Sequence, residues 1–266
     1  MKQLMLDCRE MLVEQLQYRE LLYEVTKRDL LLRYKQTVMG FGWAVFMPLV
    51  NTAVFSVIFT RVAPIQTDVP YPLFAYCGLL AWNFFASTLR ASVTSLTTNA
   101  GLVTKVYFPR ETLPFSAMLV ALADLAVGAI VLVALMIWYR VPPSPYIVLL
   151  PIVVLVHAMF TAAVSLFVAM ANLFYRDVKY LFEVVVTVWM FATSVLYPLR
   201  SVGGRLGVVL AFNPMSAIID AYRDVIFGAA RPELMGFASA AVVSTLLFGG
   251  AWLHFHRSEF EFAERI

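Results

Sequence analysis

The residue best suited to do chemistry in this chain is Asp124, which lies in the middle of an apolar run, between leucine and alanine neighbours. If that run crosses a membrane, an unpaired carboxylate at this depth costs several kcal/mol. We therefore expect Asp124 to face the interior of a helix bundle or a wet cavity, where it could carry a proton. Two roles stay open: a polar contact in a pathway or at a subunit interface, or a structural hydrogen bond to Ser, Thr or a histidine such as His157.

Other residue sets that carry chemistry are missing from the sequence. The glycine pairs at 40–42 and 203–204 are not followed by Gly-Lys-Ser/Thr, so there is no phosphate-binding loop and no expected nucleotide hydrolysis. The connecting segments contain no Ser/His/Asp or Cys/His set, no paired glutamates and no His-Glu motif. The two cysteines and three histidines lack partners at ligand spacing, so we expect no catalytic residue and no metal site, and buried or interfacial histidines.

The composition indicates the kind of fold that positions these residues. Hydrophobic residues make up 61% of the 266-residue chain, charged residues 14%, and the mean hydropathy is +0.80. Runs of about 20 apolar residues cross a bilayer as helices, because lipid cannot satisfy free backbone groups. The sequence predicts an all-α integral membrane protein with six transmembrane helices, at about 40–60, 73–96, 114–139, 146–174, 181–199 and 234–254.

The basic residues predict the orientation. With the N-terminus in the cytoplasm, the cytoplasmic side carries fourteen Lys/Arg and the outer side six, so both termini are expected inside. The net charge of +3 is too weak to indicate nucleic acid as a partner. No signal peptide is expected, because the first apolar run begins near Gly40 behind a long charged segment.

The N-terminal segment, residues 1–35, is predicted to form one unit, and residues 36–266 a six-span membrane domain. Residues 1–35 hold seven Lys/Arg and six Asp/Glu, while Leu12, Leu16 and Tyr23 recur near a helical period. This pattern is typical of an amphipathic helix lying on the membrane surface, or of a soluble helix packed on a partner. Both readings stay open.

Residues 200–231 precede the last span and carry charge within apolar sequence. Asn213-Pro214 breaks the segment, and Asp220, Arg223 and Asp224 follow. One continuous span would bury these three charges and move the last basic residues outside. We predict two short re-entrant helices that dip into the outer leaflet and return; an outer loop on the surface is the alternative.

Two cytoplasmic connections mix aromatic and charged residues: the first connection, residues 98–113, and the second connection, residues 172–183. Short helices with an aromatic side chain and flanking charges suit docking into a groove of a soluble partner. They equally suit a belt at the lipid headgroups with snorkelling Lys and Arg.

Five segments resemble one family: 28–49 (RDLLLRYKQTVMGFGWAVFMPL), 102–114 (LVTKVYFPRETLP), 172–180 (NLFYRDVKY), Tyr-Pro-Leu at 197–199 and Asn-Pro-Met at 213–215. They are similar to permease subunits of the ABC exporters of polysaccharides, namely O-antigen, capsule and teichoic-acid exporters. The resemblance covers nearly the whole chain. Lys-Val-Tyr-Phe-Pro-Arg-Glu is its most specific part and favours the polysaccharide branch over the drug-exporting branch.

The resemblance implies an interfacial helix, six spans and two re-entrant helices. It also implies a homodimer bound to two copies of a separate ATP-binding-cassette subunit, which would hold the ATP and Mg²⁺; no cofactor is expected in this chain. By the same resemblance, the interfacial helix and the first connection contact the ATPase, with a weaker contact from the second connection. The residues that the resemblance assigns to coupling with the ATPase are Arg28, Arg33, Lys105, Tyr107, Phe108, Arg110, Glu111, Tyr175, Arg176 and Asp177.

Aromatic residues suggest how a glycan could pass. Sugar rings present apolar C–H faces that stack on aromatic rings, so a smooth aromatic path with few charges would suit them. The path candidates, most of them aromatic, are Trp82, Asn83, Phe84, Phe85, Asp124, Tyr197, Phe212 and Tyr222. For each aromatic residue, packing in the core is the competing interpretation.

The sequence thus predicts the membrane subunit of an ATP-driven exporter of lipid-linked polysaccharide, in a bacterial inner membrane and in contact with its lipids. One alternative is an exporter of drugs or lipids with the same architecture. A membrane transferase acting on lipid-linked sugars would need an acidic or histidine cluster at one face, and none is visible. A proton-coupled carrier rests only on Asp124.

Overall fold

The computed structural model describes residues 10–11, 13–35, 40, 42–199, 202–228 and 234–265. Every regular element in these ranges is helical. The α-helices are α1 (Arg19–Tyr34), α2 (Gly42–Val57), α3 (Tyr71–Thr98), α4 (Ala100–Lys105), α5 (Thr112–Trp138), α6 (Leu150–Phe174), α7 (Val178–Phe191), α8 (Gly204–Ala211), α9 (Pro214–Phe227) and α10 (Leu234–Arg265). A π-helical turn, Ile58–Val62, extends α2, and a 3₁₀ turn, Pro145–Leu149, precedes α6.

Five stretches are long and apolar enough to cross a membrane: Gly42–Val62, Tyr71–Thr98, Thr112–Trp138, Pro145–Phe174 and Met235–Glu259. They match five of the six predicted spans, and an all-α membrane fold is confirmed for the described residues. Helix α3 lies at the centre, packed against α5, α6 and α9, and most of its side chains are buried. Small residues such as Ala75 and Gly78 let its neighbours approach closely.

The predicted span at about 181–199 is helical only as far as Phe191, where α7 ends. Its 14 residues make a helix about 21 Å long, shorter than a hydrocarbon core of about 30 Å. Pro198 disfavours a continuous helix up to residue 199, because it has no backbone N–H to donate to the Ser194 carbonyl four residues earlier. A crossing by this segment stays a prediction.

The prediction of two short helices broken at Asn213-Pro214 is confirmed by α8 and α9. The Asn213 side chain accepts a hydrogen bond from the Met215 backbone N–H at 3.1 Å and so caps α9. Its amide also donates to the Ala192 carbonyl at 3.0 Å, which fastens the cap to the end of α7. Re-entry of this pair into a membrane stays a prediction, and Arg200 and Arg231 lie outside the described residues.

The N-terminal segment is helical at 13–17 and again in α1. Val25 is buried, and Leu21 and Leu22 pack beside it against the bundle, mainly on α5. Leu16 and Tyr23 instead stay exposed, and Leu12 lies outside the described residues. The helix therefore packs on the protein with one face and leaves a second, partly apolar face free for membrane or partner.

Candidate functional site

Asp124 is paired with the end of α1. One carboxylate oxygen, Oδ2, lies 2.8 Å from Arg33 Nη1, and the other accepts a hydrogen bond from the Tyr34 hydroxyl. The described partners of Asp124 are therefore Arg33 and Tyr34, rather than the Ser, Thr or His157 of the structural alternative. Burial, reinforced by the Asp124 hydrogen bond, raises the pKa of Tyr34, so its phenol stays protonated and donates.

Two further contacts fasten α1 along its length. The Ser116 hydroxyl of α5 donates to Asp29 Oδ2 at 3.3 Å. Arg28 donates to Asn99 Oδ1 at 3.0 Å, and Asn99 is the residue between α3 and α4. Ahead of α1, the Tyr107 hydroxyl lies 3.4 Å from Glu14 Oε1. The N-terminal helical segment is thus tied both to α5 and to the first connection.

A cavity of about 710 Å³ lies between α1, α3 and α5. Arg28, Arg33 and Arg90 reach it, among serine and threonine hydroxyls. Each guanidinium already has a carboxylate within 3.0 Å: Arg28 has Asp29, Arg33 has Asp124, and Arg90 has Glu183. Because each of these guanidinium groups is paired with a carboxylate, the cavity is not a strongly cationic site.

The first connection divides into an outward and an inward side. Lys105, Val106 and Tyr107 are exposed, and Tyr107 shows 60% of its surface. Phe108 and Glu111 are instead buried, and Arg110 is half-buried. Of the residues assigned to coupling here, only Lys105 and Tyr107 stand fully on the surface, so the available aromatic side chain for docking is Tyr107.

The second connection keeps its predicted residues on the surface. Tyr175, Arg176 and Asp177 are exposed, as is Tyr180, over whose ring Lys179 Nζ lies 4.7 Å from the centroid. Inside, Phe108 of the first connection shares an apolar cluster with Leu173, Phe174 and Phe262. Both connections therefore lie at the same end of the bundle, next to the end of α10.

The predicted path residues differ in how deeply they are buried. The buried ones form part of an aromatic core, in which the centroid of the Phe85 ring lies 5.7 Å from that of Phe160 and 5.1 Å from that of Trp189. In the same core, His157 Nδ1 lies 3.3 Å from the Tyr222 hydroxyl. The buried residues are Trp82, Phe84, Phe85 and Tyr222; Asn83 and Tyr197 are half-buried, and Phe212 is 82% exposed. Within one chain, most of these side chains pack in the core between α3, α6, α7 and α9. His157 is buried, as the sequence predicts.

A dense set of polar contacts belongs to Arg223 of α9, for which the sequence analysis gave no partner. Its Nη1 donates to the Ser194 carbonyl at 2.6 Å and to Asp220 Oδ1 at 3.0 Å. Its Nη2 donates to the Val195 carbonyl at 2.7 Å, and the guanidinium lies 3.5 Å from the Phe74 ring centroid. In a longer α7 helix, backbone N–H groups would donate to the Ser194 and Val195 carbonyls, and Arg223 donates to them instead. Its contact with the Phe74 ring also ties α9 to α3.

Gly78 of α3 lies against this Arg223 contact. A Cβ atom at Gly78 would overlap the Val195 carbonyl oxygen and Arg223 Nη2, and the first of these is backbone. We expect Gly78→Ala to lower the amount of folded protein several-fold, measured by fluorescence-detected gel filtration in detergent. Gly101→Ala is the matched control, because nothing lies within 4 Å of its added Cβ. Equal amounts of folded protein from both variants would contradict the close approach of Gly78 to the Val195 carbonyl and Arg223.

Comparison with known proteins adds sequence relationships to this geometry. The ABC-2 type transporter family model matches residues 20–227. The chain is 32% identical over 253 residues to the O-antigen export system permease protein RfbA of Myxococcus xanthus, covering 94% of this chain and 96% of that protein. It is 28% identical over 253 residues to a protein of the same name from Klebsiella pneumoniae, covering 92% and 94%. The polysialic acid transport protein KpsM of Escherichia coli is 21% identical over 209 residues, covering 75% and 78%.

Proposed function

Because the chain belongs to the ABC-2 type transporter family, we propose that it is the membrane-spanning subunit of an ATP-driven exporter of lipid-linked polysaccharide. The observation that carries this proposal is the 32% identity to an O-antigen export permease over 94% of this chain. The exported compound would be an O-antigen-like glycan on a lipid carrier, moved across the bacterial inner membrane.

We propose a six-span topology with both termini in the cytoplasm. Five stretches have the length and composition of spans, and α7 with the following residues 192–199 would be the sixth crossing. The excess of Lys and Arg on the proposed cytoplasmic side supports this orientation. Helices α8 and α9 would then re-enter from the outer side, with Arg223 satisfied by protein groups rather than by lipid.

The working unit would be a homodimer with two ATP-binding-cassette subunits, which would carry the ATP and Mg²⁺. Exposed apolar side chains along α2, such as Phe46, Met47 and Val54, leave surface for a second copy or for lipid. One protomer encloses an aromatic core rather than a wide channel, so a path for a glycan would lie between two protomers. Phe212, which is exposed, and Tyr197, which is half-buried, are the least buried aromatic residues of our path set and so the ones most available to such a path.

ATP-driven closure of the partner would act on the surface formed by Lys105 and Tyr107 and on the exposed second connection. A push on the first connection would reach α1 through Arg28–Asn99 and Tyr107–Glu14. It would then reach the middle of α5 through Arg33–Asp124. These contacts form a continuous route from the proposed docking surface to a span.

The pairing of Asp124 also weighs against the carrier alternative. That alternative depended on an isolated ionisable group within a span, whereas Asp124 has both a cationic and a phenolic partner on α1. A proton-binding carboxylate would have to break these contacts in each cycle. The exporter of drugs or lipids with the same architecture stays the second candidate.

Deletion of the gene in its native bacterium tests the proposed function. We expect loss of surface polysaccharide and accumulation of lipid-linked glycan inside the cell, both reversed by the wild-type gene on a plasmid. Surface staining and extraction of lipid-linked glycans measure the two pools. Normal surface glycan with a changed drug tolerance or outer-leaflet lipid composition would instead support the second candidate.

Replacing Tyr107 by alanine tests the docking surface. Because Tyr107 is 60% exposed and its hydroxyl lies 3.4 Å from Glu14 Oε1, at the edge of hydrogen-bond range, we expect normal folding but at least a tenfold loss of partner-dependent export. Tyr139→Ala is the matched control, since Tyr139 is exposed at the opposite end of α5. Full export by Tyr107→Ala would remove this residue from the proposed contact.

A further inference from the structure

Three side chains that are distant in sequence meet beside the first connection. Glu111 immediately precedes α5, while His256 and Glu259 lie three positions apart on α10 and so share one face of that helix. One potential ligand atom from each residue lies within 4.8 Å of the other two. The i, i+3 spacing of His256 and Glu259 is a signal that our sequence analysis missed.

These groups are buried and incompletely bonded. Glu111 is 0% exposed and Glu259 is 2% exposed. Glu111 Oε1 accepts a hydrogen bond from the Trp252 indole at 3.1 Å and lies 3.7 Å from His256 Nδ1. Among the described residues, no hydrogen-bond partner reaches Glu111 Oε2, Glu259 Oε2 or His256 Nδ1.

Carboxylates outnumber cations around this cluster. Glu14 adds a third carboxylate within electrostatic range of His256, and Arg110 is a cation near Glu259. Buried carboxylate oxygens without a partner are unfavourable, and among the described residues Glu111 Oε2 and Glu259 Oε2 have none. A bound cation would supply the missing partner to both.

We propose that Glu111, His256 and Glu259 bind one divalent transition-metal ion, of the class of Zn²⁺ or Mn²⁺. Two carboxylates and an imidazole suit these borderline ions, whereas Mg²⁺ prefers oxygen ligands and retains its water. Metal–ligand bonds of about 2.0–2.2 Å require the ligand atoms to close in by about 1 Å, which side-chain rotation can supply.

Such an ion would join the first connection to α10. Glu111 lies near the end of the first connection, and Phe108 of the same segment packs in one cluster with Phe255 and Phe262 of α10. The ion would fix the buried side of the connection while Lys105 and Tyr107 stay free on its outer side. This inference does not depend on the compound that is exported.

Metal titration of the full chain, purified in detergent without a histidine tag and stripped with EDTA, tests the proposal. We expect one Zn²⁺ per chain after gel filtration, measured by elemental mass spectrometry, and a rise in apparent unfolding temperature. His256→Ala and Glu259→Gln should weaken the affinity at least tenfold. His254→Ala, two residues away with an exposed ring, should bind as the wild type does.

A second measurement needs no variant. Wild-type chain loaded with Mn²⁺ should show coupling of one imidazole nitrogen to the metal in pulsed electron paramagnetic resonance. Absence of stoichiometric metal in the wild type would overturn the proposal. So would equal affinities of His256→Ala and His254→Ala, because the bound ion would then lie elsewhere.

Discussion

Replacing Arg223 by alanine is expected to reduce folded protein to a small fraction of the wild-type amount. The substitution removes a buried donor from the Ser194 and Val195 carbonyls and the cationic partner from Asp220, which keeps its hydrogen bond from the Ser194 hydroxyl. Breaking one side of a buried, hydrogen-bonded charge costs roughly 3–5 kcal/mol. That is a large share of the roughly 5–15 kcal/mol that stabilises a typical fold. Fluorescence-detected gel filtration in detergent measures the loss.

Two further variants define the origin of this effect. Arg223→Lys keeps the charge, but one ammonium group cannot reach the Ser194 and Val195 carbonyls and Asp220 as the planar guanidinium does, so we expect an intermediate amount of folded protein. Arg205→Ala is the matched control, because Arg205 is exposed on α8. Wild-type yield from Arg223→Ala would contradict this account, because α9 would then be held without the Arg223 contacts.

Separating Arg33 from Asp124 is expected to loosen α1 from the bundle. Asp124→Asn removes the charge that Arg33 faces, and Arg33→Gln removes the other half of the same pair. Each single variant should raise amide hydrogen exchange across Arg19–Tyr34 several-fold and should reduce export. The double variant should be little worse than either single, with a coupling energy of about 1 kcal/mol, since Arg33 is partly exposed to solvent.

Lys27→Gln supplies the control for this cycle, because Lys27 lies on the same helix and pairs only loosely with Glu24 at 3.7 Å. We expect it to leave both exchange and export unchanged. Full export by Asp124→Asn would exclude a required charge at this position. Strict additivity of the two single variants would show that the pair is not coupled in the folded protein.

Local sequence properties were sufficient for the parts of the fold that depend on hydropathy. Long apolar runs predicted six spans, and five of them match stretches with the length and composition of spans; Asn213-Pro214 predicted the break between α8 and α9. Both follow from the residues themselves, since a span needs only length and apolar composition, and Asn followed by Pro is typical of a helix start. Pro198 could likewise have indicated that α7 does not continue to residue 199.

The partners of polar residues could not be predicted, because they depend on how distant segments pack. Arg33 and Asp124 are 91 positions apart in sequence, and nothing local to Asp124 distinguishes α1 from His157 as its partner. Arg223 bonds to backbone carbonyls, which leave no pattern in a sequence. Burial of Phe108 and Glu111 likewise reflects α10 packing behind the first connection.

Co-purification with an ATP-binding-cassette subunit tests the central claim most directly. The tagged chain would be isolated from native membranes in several mild detergents, and its companions identified and quantified by mass spectrometry. We predict recovery of one such subunit per chain, lost when residues 105–111 are replaced by a Gly/Ser linker in a protein that still runs as a folded species. Consistent absence of any ATP-binding-cassette subunit from the folded wild-type protein would contradict the proposed exporter.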